Sequence, residues 1–136
     1  MRRAAVLLLL LAGCGSGERT GPSDEDVVRA WAGALSRSDV ETASRLFALP
    51  SVVDNTTGST PLVTRRAVRF FNETLPCGAD VIDVRSFFGV LVAEVLLTER
   101  PGQYCGSGTG RLYRIAFEVE DGRISRWVRL PDRLQP

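Results

Sequence analysis

The sequence predicts an α+β domain in which three N-terminal helices pack on one face of a curved antiparallel sheet. Three observations carry that prediction. Apolar residues recur at helical spacing as far as Leu75 and at strand spacing from about Ala79 onward. Cap-forming residues stand at Ser23, Ser38-Asp39 and Thr64, each ahead of a helical run. Asp121-Gly122, a strong two-residue hairpin turn, separates two late β-rich runs. Helices first and strands after them is the order of an α+β domain.

The first helix starts at Ser23, whose hydroxyl caps a first turn carrying Asp24, Glu25 and Asp26 beside the positive end of the dipole. Val27, Val28, Trp31, Ala34 and Leu35 form its apolar face to about Ser36. A second helix restarts at Ser38-Asp39 with Val40, Ala43, Leu46 and Phe47 on one face, and Pro50 stops it. Residues 50–63 are turn-rich and hold at most one short strand. Thr64 caps a third helix with Ala67, Val68, Phe71 and Leu75 inward, closed by Pro76. Strands follow over Val81–Val84 and Ser86–Thr98 with a turn near Gly89. In Arg111–Glu120, Tyr113, Ile115, Phe117 and Val119 face one way and Arg114, Glu118 and Glu120 the other. Ile124, Val128 and Leu130 carry the last strand to Pro131.

Composition narrows the function classes. The chain of 136 residues, 44% hydrophobic and 24% charged, suits one globular domain. It contains no histidine, which excludes Ser-His-Asp and Cys-His catalysis and any His-based zinc site. All 17 basic residues are arginine, set against 16 acids, and no basic stripe suggests nucleic acid as a partner. No metal or cofactor is expected.

Residues 1–13 read as a signal peptide. Arg2 and Arg3 form a positive start, and Ala4–Ala12 is an unbroken apolar run. As a helix that run spans about 13 Å, too short for a hydrocarbon core of roughly 30 Å. It ends in Leu11-Ala12-Gly13-Cys14, which resembles the lipobox of bacterial lipoproteins. That resemblance implies cleavage before Cys14, lipid on its thiol, and a cell-membrane anchor on the extracytoplasmic side. Residues 14–24 then form a flexible tether, and 25–136 the folded domain. With Cys14 on lipid, Cys77 and Cys105 remain as an even pair in an oxidising setting, which favours one disulfide over a buried thiol pair or a redox couple.

The order of elements also resembles the NTF2-like superfamily, the cone-shaped fold that includes SnoaL-like proteins and limonene-epoxide hydrolase-like enzymes. Val28–Phe47 (VRAWAGALSRSDVETASRLF) is similar to that family's opening helix pair, and Phe117–Trp127 (FEVEDGRISRW) to its closing hairpin. The resemblance spans about residues 25–132. It implies an NTF2-like cone whose sheet curls around a pocket closed by the helices. In the epoxide-hydrolase-like branch it implies an Asp-Arg-Asp triad on E-R-x-D and W-R-D motifs. Here those stretches read Glu99-Arg100-Pro101-Gly102 and Trp127-Val128-Arg129. Arg100 keeps the arginine position, whereas Gly102 and Arg129 stand where the carboxylates would be. A guanidinium stays protonated and cannot act as a base.

Other residues remain open to two readings. Asp83 and Arg85 are either a polar pair in the pocket or an exposed ion pair. Glu94, inside the apolar run Leu91–Leu97, is either a desolvated pocket carboxylate or a solvent-facing one. Arg100 is a pocket cation or a strand-end charge. Trp31, Phe47, Phe71, Phe87, Tyr113, Phe117 and Trp127 line a cavity or simply fill the core. Two functions follow. One is a membrane-anchored, non-catalytic module that binds a small apolar ligand or an envelope protein. The other is a SnoaL-like isomerase, cyclase or hydrolase using Asp83 or Glu94. Val81, Ile82, Val90 and Val92 offer a face for a homodimer.

Overall fold

Helix α1, Asp24–Ser36, begins in a capping box, with the Ser23 hydroxyl accepting from the Asp26 N–H and the Asp26 carboxylate accepting from the Ser23 N–H. The computed structural model describes residues 21–132, so the expected signal peptide, Cys14 and most of the tether lie outside the described residues. Val27, Val28, Trp31, Ala32, Ala34 and Leu35 are buried along one face of α1. The chain then turns through Ser38, at φ 56°, and restarts at α2, Val40–Arg45, where the Asp39 carboxylate caps the Thr42 N–H at 3.1 Å.

Helix α2 ends sooner than its apolar spacing predicts, and Pro50 is not what ends it. Strand β1, Phe47–Asp54, already runs through Pro50. The reason is tertiary. The Leu46 carbonyl accepts a 2.7 Å hydrogen bond from the Ile124 N–H, and Phe47 is fully buried opposite Ile124. A distant strand therefore takes the backbone that a further helical turn would have used. β1 folds back on β2, Ser59–Leu62, so the turn-rich stretch holds the tip of a hairpin and two strands, not one at most. Thr64 caps α3, Arg65–Thr74, by accepting from the Ala67 N–H. Arg65 donates to the carbonyls of Ser44 and Phe47, tying α3 to the α2–β1 junction.

The remaining strands are β3, Gly78–Phe87, β4, Val90–Thr98, β5, Leu112–Glu120, and β6, Arg123–Arg129. The sheet runs β2-β1-β6-β5-β4-β3. Every pairing is antiparallel except β1 with β6, so the sheet is mixed, and not purely antiparallel as the sequence suggests. Both tight hairpin turns place two residues at positive φ, Phe88-Gly89 and Asp121-Gly122, the geometry that suits right-twisted strands.

Three register shifts bend the sheet: in β1 between Phe47 and Val52, in the β3–β4 pair near Ile82, and in the β5–β6 pair near Ser125. The last changes side-chain parity. Ile124 and Trp127 both face the core, and Val128 and Leu130 lie off it. All three helices cover the inner face, where Trp31, Phe47, Phe71, Phe117 and Trp127 interlock edge-to-face at centroid distances of 5.1–6.3 Å.

Candidate ligand pocket

Between α1, the end of α3 and the inner sheet face lies a cavity of about 280 Å³. Its apolar wall comes from Trp31 and Leu35 of α1, Leu75 after α3, and Leu97, Ile115 and Trp127 of the sheet. Its far side is the loop carrying Cys105, Ser107 and Gly108, stapled by the Cys77–Cys105 disulfide. Its polar groups are Asn55, Ser107, Arg111, Tyr113 and Arg129.

Strand parity brings these polar groups together. Arg111 and Tyr113 stand two apart, so both face inward with Ile115. Arg129 pairs across the strands with Ile115 and lays its guanidinium 3.9 Å from the centroid of the Tyr113 ring. Asp54 pairs with Val128, which sets Asn55 beside Arg129. No aspartate or glutamate lines the cavity among the described residues, and neither arginine has a carboxylate partner there. The Trp127 indole N–H is buried and meets no hydrogen-bond acceptor among the described residues.

The loop wall is shaped by Glu99. Its carboxylate accepts from the N–H groups of Cys105 and Gly106 at 3.1 Å each and from the Thr109 hydroxyl at 2.9 Å. The Cys105 N–H foremost, then the Thr109 hydroxyl and the Gly106 N–H, hold this carboxyl below its ordinary value.

Several residues expected in the pocket stand elsewhere. Asp83, Arg85 and Glu94 lie on the outer face of the sheet, where Arg85 Nε donates to Asp83 Oδ2 at 2.8 Å and Glu94 pairs across the strands with Asp83 and Arg114. Alternation decides this. Leu91, Ala93, Val95 and Leu97 take the buried positions of β4, which leaves Glu94 outward. Phe87 ends β3 on that same outer face, 53% exposed. Ile82, Val90 and Val92 are also outside the core, whereas Val81 packs against it.

Arg100 is buried but does not line the cavity. It donates to the Ser38 hydroxyl and to the Asn72 carbonyl, both at 3.1 Å, and so clamps the α1–α2 turn to α3. Desolvation lowers its pKa, and a guanidinium so placed still carries its charge. Of the aromatics, Trp31, Tyr113 and Trp127 line the cavity, while Phe47, Phe71 and Phe117 fill the core behind it.

From sequence, Arg129 stands only as a substitute for an acid, and neither Arg111 nor Asn55 is marked as a pocket residue. For Arg111 the signal was present, since the alternation through Tyr113 and Ile115 extends back to it. For Asn55 there was none, because its place depends on the parallel β1–β6 pairing.

No family model and no curated protein matches this sequence. Solved structures do. An NTF2-like protein of unknown function from Cytophaga hutchinsonii superposes with a TM-score of 0.65 at 12% identity, over 83% of this chain and 93% of the other. The fold is the NTF2-like cone. An LEH-like epoxide hydrolase of M. tuberculosis shares it at a TM-score of 0.58 and 19% identity, over 78% of this chain and 80% of the other. A protein with a ketosteroid isomerase-like fold from Catenulispora acidiphila, solved with trimethylamine, does so at 0.60 and 12%, over 79% and 85%. At such identities the likeness speaks for the fold alone. NTF2-like architecture serves both enzymes and ligand binders, so function rests on the side chains inside the cone.

Proposed function

We propose that this chain is a lipid-tethered, non-catalytic NTF2-like domain that holds a small, largely apolar ligand in its cone. The observation that carries the reading is the lining of the cavity, which among the described residues offers apolar walls, an amide, hydroxyls and guanidinium groups but no carboxylate. The sequence contains no histidine. The described lining therefore offers neither the imidazole nor the carboxylate on which acid–base catalysts most often rely. Asp83 and Glu94, the carboxylates an enzyme reading calls on, are on the opposite face of the sheet. Gly102 and Arg129, at the positions of the epoxide-hydrolase carboxylates, leave that chemistry without its base.

Export is supported by Arg2-Arg3, the apolar run and Leu11-Ala12-Gly13-Cys14 in that order. The Cys77–Cys105 disulfide agrees with an oxidising compartment. Native mass spectrometry of the purified protein tests the binding reading, with an adduct of small-molecule mass expected and stripped by solvent extraction. Turnover of epoxide or steroid substrates, abolished by Arg129→Gln, would overturn the non-catalytic reading. Labelled palmitate incorporated by the native chain and absent from Cys14→Ser tests the anchor.

A further inference from the structure

We infer that the ligand of the cone is an amphipathic carboxylate, its anionic end at Arg129 and Arg111 and its apolar body against Trp31, Leu35 and Trp127. This rests on the ligand-binding reading above and adds the charge of what is bound. Two guanidinium groups line one cavity, and among the described residues no acid lines it and no carboxylate pairs with either guanidinium. Elsewhere among the described residues Arg29, Arg69 and Arg85 form ion pairs while other arginines, Arg66 among them, do not, so what distinguishes Arg111 and Arg129 is that they share one cavity whose described lining holds no acid. Positive charge thus gathers along this cavity, with Arg129 half-buried and Arg111 exposed at its edge.

Arg129 is also held in place. The Tyr113 ring under its guanidinium offsets part of the charge and fixes its plane, but a ring face leaves the in-plane N–H donors without acceptors. A carboxylate matches that planar fork with two parallel hydrogen bonds. A cationic ligand would be repelled, and a neutral apolar one would cover the guanidinium while leaving its donors unmet. The cavity of about 280 Å³ stands at the small end of ligand sites, which suits an organic acid of modest size.

The test is calorimetric titration of the purified full-length protein with aromatic carboxylates from benzoate to naphthoate, each paired with its neutral amide. The acids are expected to bind at least about tenfold more tightly than the amides, as a charge-assisted pair implies. That advantage is expected to shrink as salt is raised. It should largely disappear in Arg129→Gln and weaken in Arg111→Gln, while amide affinity holds and Arg66→Gln, on the exposed face of α3, behaves as wild type. Should Arg129→Gln fail to fold, the exposed Arg111 carries the comparison alone. Equal affinity for acid and amide, or an acid preference that survives both pocket variants, overturns the charge inference and leaves ligand binding standing. Failure of every pair to bind the native protein overturns the ligand-binding reading with it.

Discussion

Asn72 shows how much one side chain can organise. It is fully buried, accepts from the Trp31 indole N–H at 2.9 Å and donates to the Val68 carbonyl at 2.9 Å. Its own carbonyl receives Arg100. Asn72→Leu conserves volume but strands the indole donor, so a loss of about 1–3 kcal/mol in urea unfolding is expected. Adding Trp31→Phe should then cost less than it does alone, because the stranded donor is gone. Glu99 gives the pH-dependent counterpart. Its carboxyl is held below the ordinary 4.5, so its contribution to stability is complete above that value and fades as pH falls through the lowered one. From about pH 7 to about pH 3 the unfolding midpoint should fall further in the native protein than in Glu99→Gln. Equal falls would mean that the loop hydrogen bonds do not matter to stability.

Helix α1 meets the sheet closely where its C-terminal end packs on the start of β3. The Ser36 hydroxyl accepts from the Ala79 N–H at 2.9 Å and donates to the Ala79 carbonyl at 3.1 Å, which draws the helix terminus onto the strand. Gly78 sits in that contact. A Cβ there would lie 2.6 Å from Thr98 Oγ1 and 3.1 Å from the Ser36 Cα. Gly78→Ala should therefore cost about 1–3 kcal/mol, measured by chemical denaturation. Combining it with Thr98→Ala should recover part of the loss but not all, since the Ser36 backbone cannot give way. A neutral Gly78→Ala would mean the α1–β3 contact is looser than its geometry implies.

At the scale of the molecule, the disulfide and the cavity belong to one structure. Cys77 follows α3 and Cys105 lies in the loop after β4, 28 residues on, so their bond fixes the wall of the cone that the helices do not cover. Closing a loop of that length stabilises the fold by roughly 3–4 kcal/mol in the chain-entropy model. Cys77→Ser/Cys105→Ser should lose about that much, and pocket ligands should bind more weakly to the double variant while it remains folded. Unchanged affinity would show that the loop holds its place through Glu99 alone.

The sequence by itself determined the α+β class, the helix caps at Ser23, Asp39 and Thr64, the hairpin at Asp121-Gly122 and, with Cys14 read as the lipid site, the pairing of Cys77 with Cys105. Each of these is local or arithmetical: a cap acts within one turn, a tight hairpin within two residues, and two cysteines leave one partner each. Only the tertiary structure decided where α2 stops, that β1 runs parallel to β6, that Glu94 faces outward and that Arg111 and Arg129 share the cone. The first two depend on a hydrogen bond between residues far apart in the chain. The last two depend on strand parity, which a bulge resets, as it does at Ser125, without changing composition or spacing in any way the sequence displays. Local chemistry thus settles the elements, and long-range register settles which of their side chains meet inside the pocket.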